Sequence, residues 1–291
     1  MSGSEWMVEQ FEEQRGRLRG VAYRMLGSLS EAEDAVQEAW LRLDRAGAEG
    51  IDNLGGWLTT VVARVCLDVL RSRKSKREEP LEEDAANTIA DRKEGIDPEQ
   101  EAVMADSVGL ALLVVLETLG PAERLAFVLH DMFDLPFEEI AGIVGRTPNA
   151  ARQLASRARR RVQGRRAAAD ADAARKREVV EAFLAAARRG DFEALLTLLD
   201  PEVVLHADAA AVRVGARESR GAATLAERAV KAGARAARPM LIDGEVGVVV
   251  APRGRLRMVM RLTVVEGKIV EVEAVADPAR LERMELAVLE D

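Results

Sequence analysis

Apolar residues recur at helical spacing through the first 75 residues. The first stripe predicts one helix and consists of Val8, Phe11, Leu18, Val21 and Met25. Ser30 stands three residues before Glu33, a capping box that predicts a second helix reaching Leu43. A glycine-rich loop, 47–56, leads into a third helix, whose predicted buried face is Leu58, Val61, Val62, Val65 and Val69. Residues 6–75 are therefore predicted to form an all-α domain.

The helical pattern breaks and then resumes. Charged and small residues fill positions 76–96, which predicts an acidic linker. Asp97 followed by Pro98 is typical of a helix start, and the helix that follows is predicted to stop at Gly120. A further helix is predicted over 121–130, with a turn at 134–136. We therefore expect a second all-α domain over 97–166.

The pattern changes again in the last part of the chain, 175–291. Two helices, separated at Gly190 and Asp191, are predicted to precede a set of strands, and Asp277 with Pro278 is predicted to begin a final helix. The predicted strands are Val203–Asp208, Val212–Arg217, Arg238–Ile242, Val246–Ala251, Arg255–Val265 and Lys268–Ala276. The expected fold class is multi-domain: two all-α domains, then an α+β domain with a curved antiparallel sheet.

The sharpest chemical signal is a helix-turn-helix from about Phe137 to Arg161. Gly145 is predicted to end a short helix, and Thr147 with Pro148 to begin the next. The outward positions carry groups that bind phosphates and base edges: Arg146, Thr147, Asn149, Arg152, Gln153, Ser156, Arg157 and Arg160. The pattern predicts binding to duplex DNA. The alternative is a solvated amphipathic helix with a basic outer face.

The distribution of charge along the chain is more informative than the net charge. The net charge of −8 argues against DNA binding when taken alone, but residues 146–166 contain eight arginines and no acid. Such a local cluster is what a phosphate-binding element requires.

Composition excludes several classes of site. Cys66 is the single cysteine and is accompanied by only two histidines, His130 and His206, so we expect neither a disulfide nor a metal site, and no cofactor. The longest apolar run, Leu110 to Leu116, is far shorter than the roughly 20 residues of a membrane helix. We therefore expect a cytoplasmic protein without a membrane partner.

The helical part, residues 6–166, resembles the extracytoplasmic-function group of bacterial RNA polymerase sigma factors. The motifs that carry the likeness are Ser30–Leu43, Trp57–Arg71, Leu119–Leu129, Pro136–Gly145 and Ala151–Arg161. The resemblance implies binding to core RNA polymerase and promoter DNA. It also implies that 6–75 is sigma region 2, that 97–166 is region 4, and that the helix-turn-helix contacts the −35 element.

The resemblance assigns roles within region 2. It implies that Asp34, Gln37 and Glu38 contact the clamp helices of the β′ subunit, with the β subunit as a further partner. It implies that the 47–56 loop and the next helix melt and recognise the −10 element, using Trp57, Arg64, Arg71, Arg73 and Lys74. From the residues alone, alternatives stay open: a solvated acidic helix face, a surface pair of Arg64 with Asp68, and core packing of Trp57.

The last part resembles the SnoaL-like, NTF2-like cone fold found in SigJ-type sigma factors. The likeness is carried by Phe183–Leu199, Pro201–Asp208 and Gly267–Pro278. The chain departs from the family pattern at Asp208–Arg213, where Ala-Ala-Ala replaces a glycine run, and at Asp277–Leu281. His206 and Asp208 are predicted to project from one face of a strand into the cone, as a possible pocket pair.

Two functions stay open for the last part and two for the whole chain. The C-terminal domain is either an intramolecular regulator of the sigma domains or an enzyme that uses His206 and Asp208; His206 also suits a purely structural role. The whole chain is expected to be an alternative sigma factor and not an enzyme. The alternative is a helix-turn-helix regulator that binds an operator without polymerase.

Overall fold

The computed structural model describes residues 3–47, 50–78, 109–163 and 171–289. These residues divide into two compact units. The first unit contains the described residues up to 78 together with 119–159, and the second contains 109–118 and the described residues from 160 onward. The division therefore does not follow chain order, because residues 109–118 fold with the C-terminal part.

The helices are numbered here in chain order. They are α1 Gly3–Leu26, α2 Leu29–Ala46, α3 Leu54–Glu78, α4 Leu110–Thr118, α5 Pro121–Phe127, α6 Phe137–Val144, α7 Pro148–Gln163, α8 Ala171–Arg189, α9 Phe192–Leu198, α10 Ala209–Arg213, α11 Ala222–Ala232 and α12 Pro278–Leu281. A single π-helical segment, Val128–Met132, continues α5. Within the described ranges, no helix is both long and apolar enough to cross a membrane.

Capping residues set where α2 and α3 begin. The Ser28 hydroxyl accepts a hydrogen bond from the Glu31 N–H at 3.5 Å, so α2 begins at Leu29 and the prediction of Ser30 as its cap is wrong. Ser28 has the extended backbone that an N-cap needs, whereas Ser30 is already helical. The Asn53 side chain accepts the Gly56 N–H at 2.9 Å, and α3 therefore begins three residues before Trp57.

The three long helices of the first unit bury most of the apolar stripes that the sequence predicts, but Val8 is 44% exposed, and Val65 and Val69 are half-buried. Phe11 packs against Trp40 with ring centroids 5.0 Å apart. The largest buried side chains of this bundle are Leu18, Tyr23, Met25, Leu43, Leu58 and Leu67. Cys66 is fully buried among them. The expected all-α fold of 6–75 is confirmed.

The second unit is built on one seven-stranded sheet. The strands are β1 Leu199–Ala207, β2 Ser219–Arg220, β3 Ala237–Ile242, β4 Glu245–Val250, β5 Met258–Val265, β6 Lys268–Val275 and β7 Leu286–Ala287. Their order is β2-β1-β6-β5-β4-β3-β7. Because β1 runs parallel to β6, the sheet is mixed, and the prediction of a purely antiparallel sheet is wrong.

The two faces of the sheet are covered differently. On one face, α8, α9 and α11 enclose an apolar core that includes Phe183, Leu184, Leu195, Leu205, Val248, Leu262 and Val272. On the opposite face, Val114 and Val115 of α4 pack in a second core with Met240, Val249, Val259 and Val275. The expected α+β class of the last part is confirmed, and α4 is part of its structure.

Hydrogen bonds fix α4 and the end of α7 within this second unit. The Glu117 carboxylate accepts the Leu256 N–H at 2.8 Å. The Thr118 carbonyl accepts a guanidinium N–H of Arg161 at 3.0 Å. The Val162 carbonyl accepts the Val288 N–H at 3.2 Å. Residues 109–118 and the last turn of α7 are thus hydrogen-bonded to the C-terminal part of the chain.

Two strand predictions need correction. Residues 209–213, which overlap the predicted strand Val212–Arg217, form helix α10, because the Asp208 carboxylate accepts the Ala211 N–H at 2.7 Å and caps a helical turn of alanines. The strand predicted from Arg255 begins only at Met258, after a 3₁₀ turn at Pro252–Gly254.

Some boundaries stay predictions. The linker predicted over 76–96 lies outside the described residues except for 76–78, which continue α3. The predicted helix start at Asp97 and Pro98 also lies outside them. The domain limits 6–75, 97–166 and 175–291 therefore remain sequence predictions.

The buried Cys66 provides a test of the packing of α3. Burial raises the pKa of its thiol to about 12, whereas an unfolded cysteine ionises near about pH 8.5. The stability that comes from keeping this thiol neutral is fully present below the unfolded pKa and is lost as pH rises toward the folded pKa.

We expect the stability advantage of the native protein over Cys66→Ala to fall by about 1.4 kcal/mol per pH unit above about pH 9. Urea unfolding of both proteins between about pH 7.5 and about pH 10 measures this difference and cancels the titration of other groups. A difference that stays constant over that range would show that the thiol is exposed to water.

Candidate nucleic-acid interface

The turn between α6 and α7 is set by two residues that the sequence singled out. Gly145 adopts the left-handed conformation, with φ 69° and ψ 43°, and its N–H donates to the Ala141 carbonyl. Thr147 then caps α7, since its hydroxyl accepts the Ala150 N–H at 3.2 Å. Pro148 occupies the first helical position, where its missing N–H costs nothing. The predicted helix-turn-helix geometry is confirmed.

The α7 helix buries only small side chains. Ala151, Ala155 and Ala158 are fully buried, which lets α7 lie close to its supporting helices. The eight side chains predicted to contact DNA are all exposed: Arg146, Thr147, Asn149, Arg152, Gln153, Ser156, Arg157 and Arg160. The sequence therefore predicted the exposed face of α7 correctly.

Neighbouring side chains position the arginines of α7. The Arg152 guanidinium lies 5.2 Å from the centroid of the Phe137 ring, and that ring packs on His130 with centroids 3.9 Å apart. Arg157 lies 3.4 Å from the Glu123 carboxylate, and Arg159 lies 2.5 Å from Asp131. Arg159, which was not among the predicted DNA contacts, is thus used as an ion-pair partner inside the unit.

The arginines of α3 divide into two groups. Arg64 and Arg71 are exposed; Arg71 lies 3.9 Å from Asp68, so Asp68 pairs with Arg71 and not with Arg64. Arg73 instead pairs with Glu31 and donates to the Leu26 carbonyl at 3.3 Å. Its guanidinium thus links α3 to α2, and the DNA contact predicted for Arg73 stays a prediction.

A groove of about 580 Å³ lies at the start of α3. Gly55 and Gly56 form its floor, and a Cβ on Gly56 would come within 2.7 Å of the Asn53 amide that caps the helix. Hydrogen-bonding and aromatic side chains line the groove, among them Trp6, Gln10, Gln14, Arg17, Asn53 and Phe133. Trp57 is half-buried next to Gly56, and Lys74 is exposed near the other end of α3.

The side chains predicted to bind polymerase lie on α2. Asp34 and Gln37 are exposed, and Glu38 is half-buried and lies 2.9 Å from Arg42. They face away from the stripe that α2 buries: Leu29, Ala32, Ala35, Val36, Ala39 and Leu43. This arrangement leaves an acidic surface on the bundle.

His206 and Asp208 do not form a pair inside the cone. His206 lies on the face of β1 opposite the core residue Leu205, where its Nε2 is 3.7 Å from the Glu271 carboxylate and more than half of its side chain is exposed. The prediction that both side chains project into the cone is wrong, because only alternate residues of a strand face the core. Within the described ranges, no group of three or more His, Cys, Asp or Glu residues is placed to hold a metal.

Asp208 has a structural role at the end of β1. Burial alone would raise its pKa and is the largest influence, but backbone hydrogen bonds from Ala211, Asp277 and Ala276, with the charge of Arg280, bring the pKa below its usual value. The N–H groups of Ala276 and Asp277 lie 3.2 and 3.1 Å from Oδ2. One carboxylate therefore caps α10 and holds the end of β6.

No pattern in the sequence indicates the role of Arg124. This residue is only 4% exposed, and its Nε–H donates to the Arg24 carbonyl of α1 at 2.9 Å. An arginine within a short helix is usually expected to face solvent. Only the three-dimensional packing of α5 on the bundle shows that Arg124 is buried.

Comparison with known proteins shows to which protein family the chain with these surfaces belongs. Residues 10–76 match the family model for sigma-70 region 2, and residues 109–162 match the model for sigma-70 region 4. A probable ECF RNA polymerase sigma factor, SigI of Mycobacterium tuberculosis, is 38% identical over 270 residues, which cover 92% of this chain and 92% of SigI. The chain belongs to the extracytoplasmic-function sigma factors.

Further relatives of this sigma factor cover its C-terminal part as well. SigJ of Mycobacterium tuberculosis is 37% identical over 298 aligned positions, covering 93% of this chain and 92% of SigJ. The crystal structure of that SigJ aligns with a TM-score of 0.44 at 32% identity, over 94% of this chain and 98% of the other. The positions at which this sigma factor aligns with these relatives therefore extend well beyond its two sigma regions.

The Asp208 site of this sigma factor gives a stability prediction. We expect Asp208→Ala to destabilise the protein by about 2 kcal/mol at neutral pH, because it removes a helix cap and the acceptor of two further hydrogen bonds, from the N–H groups of Ala276 and Asp277. Since the folded pKa is depressed, this stabilisation is present above the unfolded pKa of about 3.9 and is lost as pH falls through the folded pKa.

Urea unfolding at neutral pH and well below the unfolded pKa of about 3.9 measures the loss in Asp208→Ala and its pH dependence. Asp172→Asn, which changes an exposed carboxylate of α8, serves as the control and should leave the unfolding midpoint unchanged. Equal stability of native protein and Asp208→Ala at neutral pH would contradict the structural role.

Proposed function

We propose that this sigma factor binds core RNA polymerase through α2 and directs promoter-specific initiation, with α7 at the −35 element and the α3 surface at the −10 element. The observation that carries the proposal is the confirmed helix-turn-helix, whose eight predicted DNA contacts are all exposed, in a chain of this family. Since core polymerase is cytoplasmic, we propose that this sigma factor acts in the cytoplasm. Family membership favours this function over the operator-binding alternative.

The proposal for the −35 element rests on the N-terminal half of α7. Asn149, Arg152 and Gln153 are side chains that make paired hydrogen bonds to adenine or guanine in the major groove. The Phe137 ring supports the Arg152 guanidinium, which limits the freedom that Arg152 would lose on binding. Arg146, Arg157 and Arg160 suit contacts to phosphates, as do the hydroxyls of Thr147 and Ser156.

The proposal for the −10 element rests on the groove at the start of α3. Unpaired bases need stacking partners and polar groups, and their backbone needs a cationic track. Trp57 and the polar lining of the groove suit the bases, while Arg64, Arg71 and Lys74 suit the phosphates. Arg73 is left out of this track because it already binds Glu31 and the Leu26 carbonyl.

Changing the proposed base contacts tests the −35 assignment. We expect Arg152→Ala to lower run-off transcription by a reconstituted holoenzyme by about tenfold, because one paired base contact is worth about 1–3 kcal/mol. Affinity for core polymerase should not change. Arg213→Ala removes an exposed arginine from α10 and is the control; equal transcription by both variants would refute the −35 role of Arg152.

A charge reversal tests the polymerase surface. We expect Asp34→Lys to weaken binding to core polymerase by about tenfold or more, since it places a cation where the proposal requires an acid. Asp44→Lys makes the same change on another exposed part of α2 and should bind normally. Titration of labelled sigma factor with core polymerase measures both, and identical affinities would remove Asp34 from the interface.

For the C-terminal domain, we propose regulation in cis without catalysis. The support is that α4, which falls within the region 4 match, packs on the sheet of the second unit, as does Val162 at the end of α7. The domain thus supports both ends of region 4. The enzyme alternative loses its support, because His206 lies on the outer face and the Asp208 carboxylate is engaged by backbone N–H groups.

A backbone change tests this coupling. Val288→Pro removes the N–H that donates to the Val162 carbonyl, whereas Val288→Ala keeps it. We expect promoter-dependent run-off to fall severalfold in Val288→Pro and to stay close to native in Val288→Ala, with equal core affinity. Equal transcription by the two variants would mean that this contact does not support α7.

A further inference from the structure

The Arg152 side chain of α7 is in contact with a pair of rings from region 4. Its guanidinium lies 5.2 Å from the centroid of the Phe137 ring. The Phe137 ring packs in turn on the His130 imidazole, with ring centroids 3.9 Å apart and an angle of 34° between the ring planes. Three groups that are distant in sequence thus form a series of contacts that ends at a proposed base contact.

The π-helical segment Val128–Met132 places His130 in this series. Hydrogen bonds in a π-helix span five residues, and π-helical turns occur frequently at functional sites. The His130 Nδ1–H donates to the Leu135 carbonyl at 3.0 Å, and the Leu135 N–H donates to the Leu129 carbonyl at 2.9 Å. These bonds fix the imidazole relative to the turn that leads into α6, where Phe137 is the first residue.

The Phe137 ring depends on a neighbour to hold its orientation. Phe137 is half-buried at the start of α6. A side chain that is partly in water keeps rotamer freedom unless a neighbour restricts it. Packed aromatic rings prefer defined relative geometries, so the imidazole restricts the Phe137 ring. The ring then restricts the Arg152 guanidinium through cation–π attraction.

The orientation of the Arg152 guanidinium matters because base recognition depends on direction. Arginine recognises guanine through two parallel N–H bonds, which require the planar group to be aligned with the base edge. Attraction to a phosphate tolerates many orientations, since it is mainly electrostatic and carries no sequence information. A residue that orients Arg152 therefore affects discrimination between bases more than it affects total affinity.

We propose that His130 is a positioning residue for the −35 element: by stacking on Phe137, it orients Arg152 toward one base pair. The proposal rests on the proposed function for the base contact of Arg152. A histidine that only held the turn before α6 would, when lost, weaken every contact of the helix-turn-helix alike. Positioning requires instead a loss of discrimination confined to the base pair that Arg152 contacts.

Promoters in which each −35 base pair is changed singly separate these two roles. In run-off transcription by reconstituted holoenzyme, Arg152→Ala identifies the base pair whose discrimination depends on Arg152. We expect His130→Ala to lower discrimination at that base pair by about threefold to tenfold and to leave the other positions within about twofold of native. His206→Ala, which changes an exposed histidine of β1, is the matched control and should behave as native.

Two further substitutions distinguish the His130 ring from its hydrogen bond. His130→Phe keeps a flat ring against Phe137 but loses the donor to the Leu135 carbonyl, whereas His130→Asn keeps a donor but loses the ring. We expect His130→Phe to restore most of the discrimination and His130→Asn to behave as His130→Ala. None of the three should change discrimination further when Arg152→Ala is also present, because the positioned side chain is then absent.

A spectroscopic measurement on the free protein follows the positioning without polymerase or DNA. The Arg152 guanidinium lies close to the Phe137 ring, whose ring current displaces the NMR resonance of the Arg152 Nε–H. Arg152→Lys removes that resonance and so assigns it. We expect His130→Ala and His130→Asn to move the resonance toward that of exposed arginines, and His130→Phe to leave it displaced.

The outcomes separate the positioning role from the proposed function. Unchanged discrimination in His130→Ala, or an equal loss at every −35 base pair, overturns the proposal. Native discrimination in His130→Asn beside a defective His130→Phe overturns it too, as does an Arg152 resonance that His130→Ala leaves in place. If Arg152→Ala alters discrimination at no base pair, the proposed base contact fails and the role in recognition fails with it, whereas the resonance still decides whether His130 orients the guanidinium.

Discussion

A buried guanidinium must find hydrogen-bond acceptors, and this requirement at Arg124 organises the first unit. One of its acceptors is a backbone carbonyl of α1, so the buried Arg124 links α5 to the region 2 bundle. Once α5 is placed there, the segment before α6 lies against α1, and α6 lies against α3. This polar contact acts together with the apolar burial of α5 residues such as Leu125 and Phe127, and the positions Asp34 and Gln37 of α2 remain exposed.

A second constraint is the apolar character of α4. Four consecutive residues, Leu113 to Leu116, are buried, and such a helix cannot stand with one side in water. The second unit supplies part of the cover through Met240, Val249 and Val259. Region 4 is continuous in sequence, but its first helix is folded into the C-terminal unit, which physically connects a DNA-binding region to an α+β domain.

Local signals predicted the elements well, and the long-range arrangement poorly. The periodicity of α7 and the pair Gly145 and Thr147 were sufficient to place the helix-turn-helix, because caps and left-handed turns depend on adjacent residues. The strand predicted from Val212 was wrong, because Asp208 caps a helical turn there. The outward position of His206, the pairing of Arg73 with Glu31 and the parallel pairing of β1 with β6 all depend on partners distant in sequence.

Acidic residues explain how a chain with a net charge of −8 presents a basic helix. Glu123 and Asp131 pair with Arg157 and Arg159 of α7, whereas Arg146, before the helix, and Arg152, within it, are exposed. When a phosphate displaces one of these ion pairs, the free energy lost with the pair offsets part of the free energy gained on binding DNA. Under the proposed function, selectivity depends on the base contacts at Asn149, Arg152 and Gln153, while affinity requires polymerase to hold the sigma factor at the promoter. We therefore expect the protein to bind DNA weakly when it is alone.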